Sequence, residues 1–485
     1  MTQQVPPCML KIENYRRGFA HKYGGTSVVT KDQDLEIIAR TVEHFKRTPS
    51  DGYSFLITSG LGSLGNGKAI WEKKITDLMV QSASTRSFDL AWAIAKGRAQ
   101  KNLYDHGIPQ ILLKDQIDGI ESDLRSGNTD ERTLAHMMGF GEIAKENTFI
   151  TLGKHLHPEI NWHRMRVPLL IAKELESGQR TNLPISHRET LEHIRKYARI
   201  EELQGKITVG AGFTANLSDQ KIGKLATTFR GGSDASLAYA LAALDLDEGV
   251  IFSDREGIYP VDPRLIPRSV PLKELTYREA KLFAGLGASI IQQVAIEPAR
   301  ERKSRLFVGM SNGNGASGTL IGGQPSFENY GVKAIAVDKG HTFVYVTNMN
   351  EQPGEAARVQ AIFASNGYNI AHEIDGDDFR AYAVKRKENF HLLLKELSDP
   401  GYTIVTRTPI DRVVLVGEGM ELVEQHRTGA SARQILSSTL DDLGIRPIAY
   451  LDARYSCSKS VFVEGKDRQI LLERLADNFG FYDRN

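Results

Sequence analysis

A short apolar strand that breaks into glycine and then hands over to a helix recurs along this chain, and that rhythm restricts the fold most. Residues 19–23 run into Gly24-Gly25-Thr26-Ser27, and the helix that follows carries Leu35, Ile38, Val42 and Phe45 on one stripe. Residues 53–59 form a second apolar strand, which leads into Gly60, Gly62 and Gly65. Residues 77–146 read mainly as helix, with a polar interruption at Ser126-Gly127-Asn128. Further strands are expected over 207–213, 249–254 and 305–309. Between the first two of these, Arg230-Gly231-Gly232-Ser233-Asp234 opens a helix bearing Leu237, Leu241 and Leu244, with Ser233 or Asp234 suited to its N-cap. Strands separated by helices in this way build an α/β domain with a mainly parallel sheet.

Gly322-Gly323-Gln324-Pro325 marks a turn or linker, and beyond Val332 the texture changes to short strands and two helices of similar design. The stretch from Gly354-Glu355-Ala356-Ala357-Arg358 is echoed by Gly429-Ala430-Ser431-Ala432-Arg433. Each follows an apolar strand, so the C-terminal part reads as a weak repeat of about 75–80 residues, the size of a small α+β unit. A 485-residue chain exceeds one ordinary core. The expected division is residues 1–328, 332–408 and 409–485.

Charge excludes several classes of function. Lys plus Arg (61) nearly cancels Asp plus Glu (60), so no global field favours nucleic acid or an anionic membrane. No apolar run approaches the length of a membrane span, and the N-terminal stretch lacks the apolar core of a signal peptide. Only Cys8 and Cys457 are present, which gives no disulfide framework and points to a reducing, cytoplasmic setting. The histidines, including the pairs His155/His157 and His187/His193, lack metal-ligand spacing, so no bound metal site is expected beyond nucleotide-associated Mg²⁺.

Three glycine-bearing turns after strands, at Gly24-Gly25, Gly60–Gly65 and Gly210–Gly212, allow a ligand to approach the backbone closely. Their free N–H groups, beside a helix N-terminus, suit phosphate, yet there is no Walker A sequence and no Gly-x-Ser-x-Gly elbow. Lys22 closes the first strand, where it can neutralise charge on phosphate oxygens, although from position alone a solvated lysine is the plainer reading. Arg230 and Asp234 straddle a double glycine, where an arginine can fork onto a carboxylate and an aspartate can orient a lysine; surface capping fits equally. Glu142, in Gly139-Phe140-Gly141-Glu142, can receive an ammonium group or simply face solvent. Asp254 ends a strand before the ordered run Tyr259-Pro260-Val261-Asp262-Pro263-Arg264.

Taken together and in order, these motifs resemble the aspartate kinase family. Lys22-Tyr23-Gly24-Gly25-Thr26-Ser27 is similar to its opening signature, and Phe229-Arg230-Gly231-Gly232-Ser233-Asp234 to its second hallmark. Ser253-Asp254 through Asp262-Pro263-Arg264 resembles its nucleotide loop, and Gly318-Thr319-Leu320-Ile321 the close of its catalytic domain. The resemblance implies an amino-acid kinase αβα sandwich followed by two ACT-type domains. It also implies transfer of the ATP γ-phosphoryl group, with Mg²⁺, to the side-chain carboxylate of aspartate, regulated by an amino acid, in a homodimer or higher homo-oligomer. By matched position, Lys22 and Asp234 would be catalytic. Ser59, Glu142 and Arg230 would hold the substrate, while Gly24, Gly25, Ser253, Asp254, Tyr259 and Arg264 would line the nucleotide.

Several positions depart from the family. Gly65 stands where a threonine touches substrate, Lys145 where a serine follows the glutamate, and Thr228-Phe229 replaces Leu-Gly. Ser289, in Gly287-Ala288-Ser289-Ile290-Ile291-Gln292-Gln293, replaces a phosphate-binding lysine, a loss of about 1.5–3 kcal/mol of contact. These changes keep two other readings open: a kinase for a different amino-acid or carboxylate acceptor, and a catalytically weak amino-acid-sensing protein.

Overall fold

The computed structural model describes residues 14–24, 27–28, 30–60, 88–126, 130–165, 167–217, 225–229, 231–286, 291–311, 318–322, 330–349, 353–376, 379–398, 401–452 and 457–481. The chain forms two compact units. The first comprises Met1–Ile258, Pro271–Gly285 and Ser289–Gln324; the second comprises Tyr259–Val270, Leu286–Ala288 and Pro325–Asn485.

The strands of the first unit are β1 (Gly18–Tyr23), β2 (Tyr53–Thr58), β3 (Trp162–Arg164), β4 (Leu170–Ile171), β5 (Ile207–Ala211), β6 (Thr214–Asn216), β7 (Leu225–Thr227), β8 (Glu248–Ser253), β9 (Glu274–Leu275), β10 (Arg305–Met310) and β11 (Gly318–Ile321). Its helices are α1 (Lys31–Phe45), α2 (Phe88–Asp105), α3 (Lys114–Arg125), α4 (Glu131–Leu156), α5 (His187–Ile200), α6 (Gly232–Ala243), α7 (Tyr277–Gly285) and α8 (Gln293–Arg302). An eight-stranded sheet runs in the order β3-β5-β2-β1-β8-β10-β11-β9, and its strands from β3 to β10 are parallel. A smaller sheet has the order β4-β6-β7. Residues 77–87 and 127–129, part of the expected helical stretch, lie outside the described residues; the rest of that stretch divides into α2, a 3₁₀ turn, α3 and α4.

Strand periodicity sets the layers. Along β1, Phe19, His21 and Tyr23 stand on the face covered by α1, α2 and α4, where Tyr23, Ile38, Trp92, Phe140 and Phe252 share a core. Lys22 alternates to the other face and meets α6. That helix is buried along its whole length, so its Ala, Gly and Ser residues, rather than a leucine stripe, let it sit tightly on the sheet. A mainly parallel sheet covered on both faces is the αβα sandwich that the resemblance implies. The strand expected over 207–213 ends at Ala211, and Phe213 takes the left-handed region (φ 67°) before β6.

At the amino-terminal edge of the sheet lies a buried polar chain. Tyr15 Oη donates to Glu248 Oε2 at 3.2 Å and meets His44 Nδ1 at 2.6 Å, and the His21 ring packs edge-on to His44 with centroids 4.7 Å apart. Burial pushes the Glu248 carboxyl up to about 7 against the pull of Arg305, and it lowers His44 to about 3. Folded Glu248 therefore keeps its proton to higher pH than the unfolded chain does. Its contribution to stability is complete below about pH 4.5 and is lost as pH rises through about 7. His44 acts in the opposite sense, because the unfolded chain takes up a proton first as pH falls below about 6.5. Glu248→Gln keeps the shape and removes the titration. Relative to the unsubstituted protein, it is expected to gain up to about 3 kcal/mol between pH 5 and pH 8, read from urea midpoints; parallel pH curves for the two proteins would count against this assignment.

The second unit contains β12 (Ala334–Thr347), α9 (Glu355–Ser365), β13 (His372–Asp375), β14 (Phe379–Lys385), α10 (Phe390–Ser398), β15 (Thr403–Val416), α11 (Met420–Thr428), α12 (Ala432–Asp442), β16 (Ala449–Asp452), β17 (Ser458–Glu464) and α13 (Arg468–Phe479). Each half thus reads strand, helix, strand, strand, helix, with one extra helix, α11, in the second. The strands form one antiparallel sheet in the order β13-β14-β12-β15-β17-β16. The long strand β12 serves both halves. Ile335 packs with Val413, Leu436 and Leu472, whereas Val344 and Val346 pack with Phe363, Tyr382 and Leu393. Residues 259–270 also join this unit: the Ile335 N–H donates to the Pro260 carbonyl at 2.7 Å, and Val261 and Ile266 enter the core of the second half. No helix among the described residues is long and apolar enough to cross a membrane.

Candidate active site

The carboxyl ends of β1, β2, β5 and β8 lie side by side in the large sheet, where a doubly wound fold places its ligands. Lys22 Nζ lies 2.6 Å from Asp234 Oδ1, with the two side chains 12% and 6% exposed. Asp234 occupies the first turn of α6, where its charge is favoured by the helix dipole. The helix starts at Gly232, two residues earlier than a Ser233 cap allows and three earlier than an Asp234 cap. Gly231, at φ 93°, is its cap, so Ser233 and Asp234 are not N-caps and are left free for other work.

The glycine turns are where other groups press against the backbone. A Cβ on Gly60 would stand 2.9 Å from Glu142 Oε1, and one on Gly212 would stand 2.7 Å from the Thr58 carbonyl and 2.8 Å from Ser233 Oγ. The Gly212 N–H donates to that same Thr58 carbonyl at 2.9 Å. Thr58 Oγ1 lies 3.1 Å from the Glu142 carbonyl and 3.4 Å from that of Gly210. Ser59 is buried between Thr58 and Gly60. Glu142 is 4% exposed, so the solvent-facing alternative is wrong for it. The structure thereby brings together Lys22, Ser59, Glu142 and Asp234, with α6 presenting its N-terminus among them.

On the β8 side, the Gly24 N–H donates to the Phe252 carbonyl at 2.8 Å. Ser253 Oγ closes a turn on the Arg255 backbone, and Asp254 is exposed. Tyr259 and Arg264 belong to the second unit, in which Arg264 forks onto Asp262 at 2.7 and 3.0 Å. Gly25, Arg230, Gly65 and Ser289 lie outside the described residues. Among the described residues no group of three or more His, Cys, Asp and Glu side chains is placed to hold a metal ion.

Lys145 does not line the pocket. Its side chain is fully buried, bonded to Asp34 Oδ2 of α1 and 3.3 Å from Asn102 Oδ1 of α2. His106 Nε2 lies 2.9 Å from the same Asp34 oxygen. Burial lowers the Lys145 ammonium below its ordinary value and Asp34 opposes the shift.

Sequence reasoning missed three supports of the site. One is the Thr58 hydroxyl described above. The second is Arg40, whose guanidinium lies over the Phe252 ring at 4.8 Å and donates to the Ser311 carbonyl at 2.8 Å. The third is Glu146. Only Glu146 carried a signal, as an acid one turn from Glu142 on the same helix face.

Residues 19–309, more than half of the chain, match the sequence model of the amino acid kinase family. The chain belongs to that family. Within the amino acid kinases its relatives are aspartokinases. That of Thermus thermophilus is 30% identical over 277 residues, covering 53% of this chain and 67% of the relative. That of Corynebacterium glutamicum is 31% identical over 234 residues, covering 45% and 54%. The fold extends the likeness. Clostridium acetobutylicum aspartate kinase superposes with a TM-score of 0.72 at 16% identity, over 96% of this chain and 99% of that one. E. coli aspartokinase III, in complex with aspartate and ADP, does so at 0.71 and 18%, over 96% and 100%. This amino acid kinase is thus a divergent member of the aspartate kinase branch.

Proposed function

We propose that this kinase transfers the γ-phosphoryl group of MgATP to the side-chain carboxylate of L-aspartate. An aspartate carboxylate oxygen bonds to the γ-phosphorus as the bridging P–O bond to the β-phosphate breaks, giving 4-phospho-L-aspartate and ADP. The observation that carries the reading is the Lys22–Asp234 pair, 2.6 Å apart, at a helix N-terminus beside the Gly60–Glu142 contact. Transfer of this kind needs little covalent help from protein; it needs position and charge. Lys22 faces the phosphoryl oxygens as negative charge builds on them, and Asp234 holds its ammonium in place. Glu142 receives the substrate ammonium and Ser59 lines the same pocket, while Arg230 takes the α-carboxylate. Gly24, Gly25, Ser253 and Asp254 line the nucleotide. Glycine at 60, 212 and 231 lets Glu142, the Thr58 carbonyl with Ser233, and Gln292 press against the main chain around this site. Mg²⁺ enters with the nucleotide as part of that substrate. The second unit binds a regulatory amino acid and pairs with a second copy of the chain.

Lys145, one of the departures that kept another acceptor open, is buried against Asp34. Purified protein with MgATP and hydroxylamine, offered a panel of amino acids, is expected to form hydroxamate with aspartate alone. Product with a different acid would transfer the case to another acceptor. No product with any acid, from folded protein, would favour the sensing protein instead.

A further inference from the structure

Glu146 stands one helical turn beyond Glu142 on α4, so both carboxylates share a helix face. It is 3% exposed. A carboxylate this deep is costly unless its oxygens find donors. Arg164 Nε of β3 donates to Glu146 Oε2 at 2.9 Å, and the Ala211 N–H of β5 donates to the same carboxylate. Strand geometry explains why the second donor is available. β3 ends at Arg164, and the last bond on that edge of β5 runs from the Met165 N–H to the Val209 carbonyl, at 2.9 Å. The next N–H on that edge, Ala211, has passed the end of β3 and takes the carboxylate instead. Ala211 leads into Gly212, whose N–H holds the Thr58 carbonyl and whose α-carbon lies against Ser233.

We propose that Glu146, anchored by Arg164, is a positioning residue for the acceptor pocket: it substitutes for the missing strand and fixes the Gly210–Gly212 turn against the Thr58–Gly60 turn and the start of α6. The assignment of the pocket rests on the kinase reading above; the anchoring of the turn does not. The charged groups facing Glu146 are Arg164 from β3 and, one turn back on its own helix, Glu142. Burial pushes the Glu146 carboxyl up to about 7, with Arg164 pulling it down. Near neutral pH it therefore moves between a carboxylate that accepts both bonds and a neutral acid that cannot hold Arg164 by charge. Below about pH 7 the turn loosens and the acceptor binds less well.

The test compares the unsubstituted protein with Glu146→Gln and Glu146→Asp by ADP release from pH 6 to 9. The unsubstituted protein is expected to show kcat/KM for aspartate falling on the acid side with an apparent pKa near 7. Glu146→Gln should mimic the neutral form, with an aspartate KM raised about tenfold at pH 8, kcat within about threefold and no acid limb. Glu146→Asp should recover part of the KM. Amide exchange across residues 207–216 is expected to quicken about tenfold or more in Glu146→Gln while the strands β1 and β8 hold their protection. This readout needs neither turnover nor ligand. Should Glu146→Gln not fold, Arg164→Lys takes its place in both measurements, with the same direction expected. An unchanged KM, an unmoved acid limb and unchanged exchange would overturn the proposal. Absence of aspartate-dependent turnover in the unsubstituted protein alone, with the exchange difference present, would instead defeat the kinase reading and leave the anchoring of the turn intact.

Discussion

Lys22→Met is expected to lower kcat for ADP release with aspartate by about 10²–10³-fold, the range seen when one charge-stabilising donor is removed from a transition state. The ammonium is held 2.6 Å from Asp234 and is 12% exposed, so it works in a site with little water to replace it. Methionine keeps the apolar stem that packs beside β2 and β8, and far-ultraviolet circular dichroism should be unchanged. Lys22 and Asp234 act as a unit, so their losses should not add. The double variant Lys22→Met/Asp234→Asn is expected to fall within about threefold of Lys22→Met alone. A single variant retaining more than a tenth of the original kcat would remove Lys22 from the reaction.

Lys145→Met should act on stability instead, costing about 3–5 kcal/mol, because it strands the Asp34 carboxylate at zero exposure between three helices. His106 remains 2.9 Å from that carboxylate, yet it already serves there in the unsubstituted protein and adds no new cation. The pair as a whole is expected to contribute far less than its halves, since taking two charges out of water consumes most of their attraction. Asp34→Asn combined with Lys145→Met should therefore recover most of the loss. Equilibrium urea unfolding measures both. Parity between the single and double variants would mean that Asp34 is not stranded, and the burial of this pair would need another explanation. Aspartate KM should stay near its original value in the double variant, because neither side chain reaches the pocket.

The sequence reading treated Lys145 as a pocket residue because it counted positions after Glu142. Three residues on, a side chain stands about 60° to one side of Glu142 around the helix, and there Lys145 meets Asp34 of α1 and Asn102 of α2. The same geometry returns Glu146, four residues on, to the Glu142 face. Position along a motif and position around a helix are different coordinates, and only the first is legible without knowing which face meets the sheet. The N-cap of α6 failed for a related reason. Ser and Asp are strong capping residues, but Gly231 alone tolerates φ 93° with the Gln292 side chain packed over it, so the helix begins there.

The order of strands, glycine turns and helices was set by local pattern: period-two burial in the strands, period-3.6 stripes in α1, and turns where only glycine fits. That was enough for an α/β domain with a mainly parallel sheet, for Lys22 at a strand end and for Asp234 at a helix start, while the αβα layering was implied by the family resemblance. The tertiary structure decided what those residues meet. It joined Lys22 to Asp234 across 212 positions of chain (234 − 22) and laid Glu142 against Gly60. It gave Ala211 a carboxylate in place of a strand, buried Lys145 with Asp34, and drew residues 259–270 into the second unit's core. Local propensity depends on neighbours in the chain, whereas burial and ion pairing depend on which faces are brought together by strand order, and strand order is a long-range property that no short window contains.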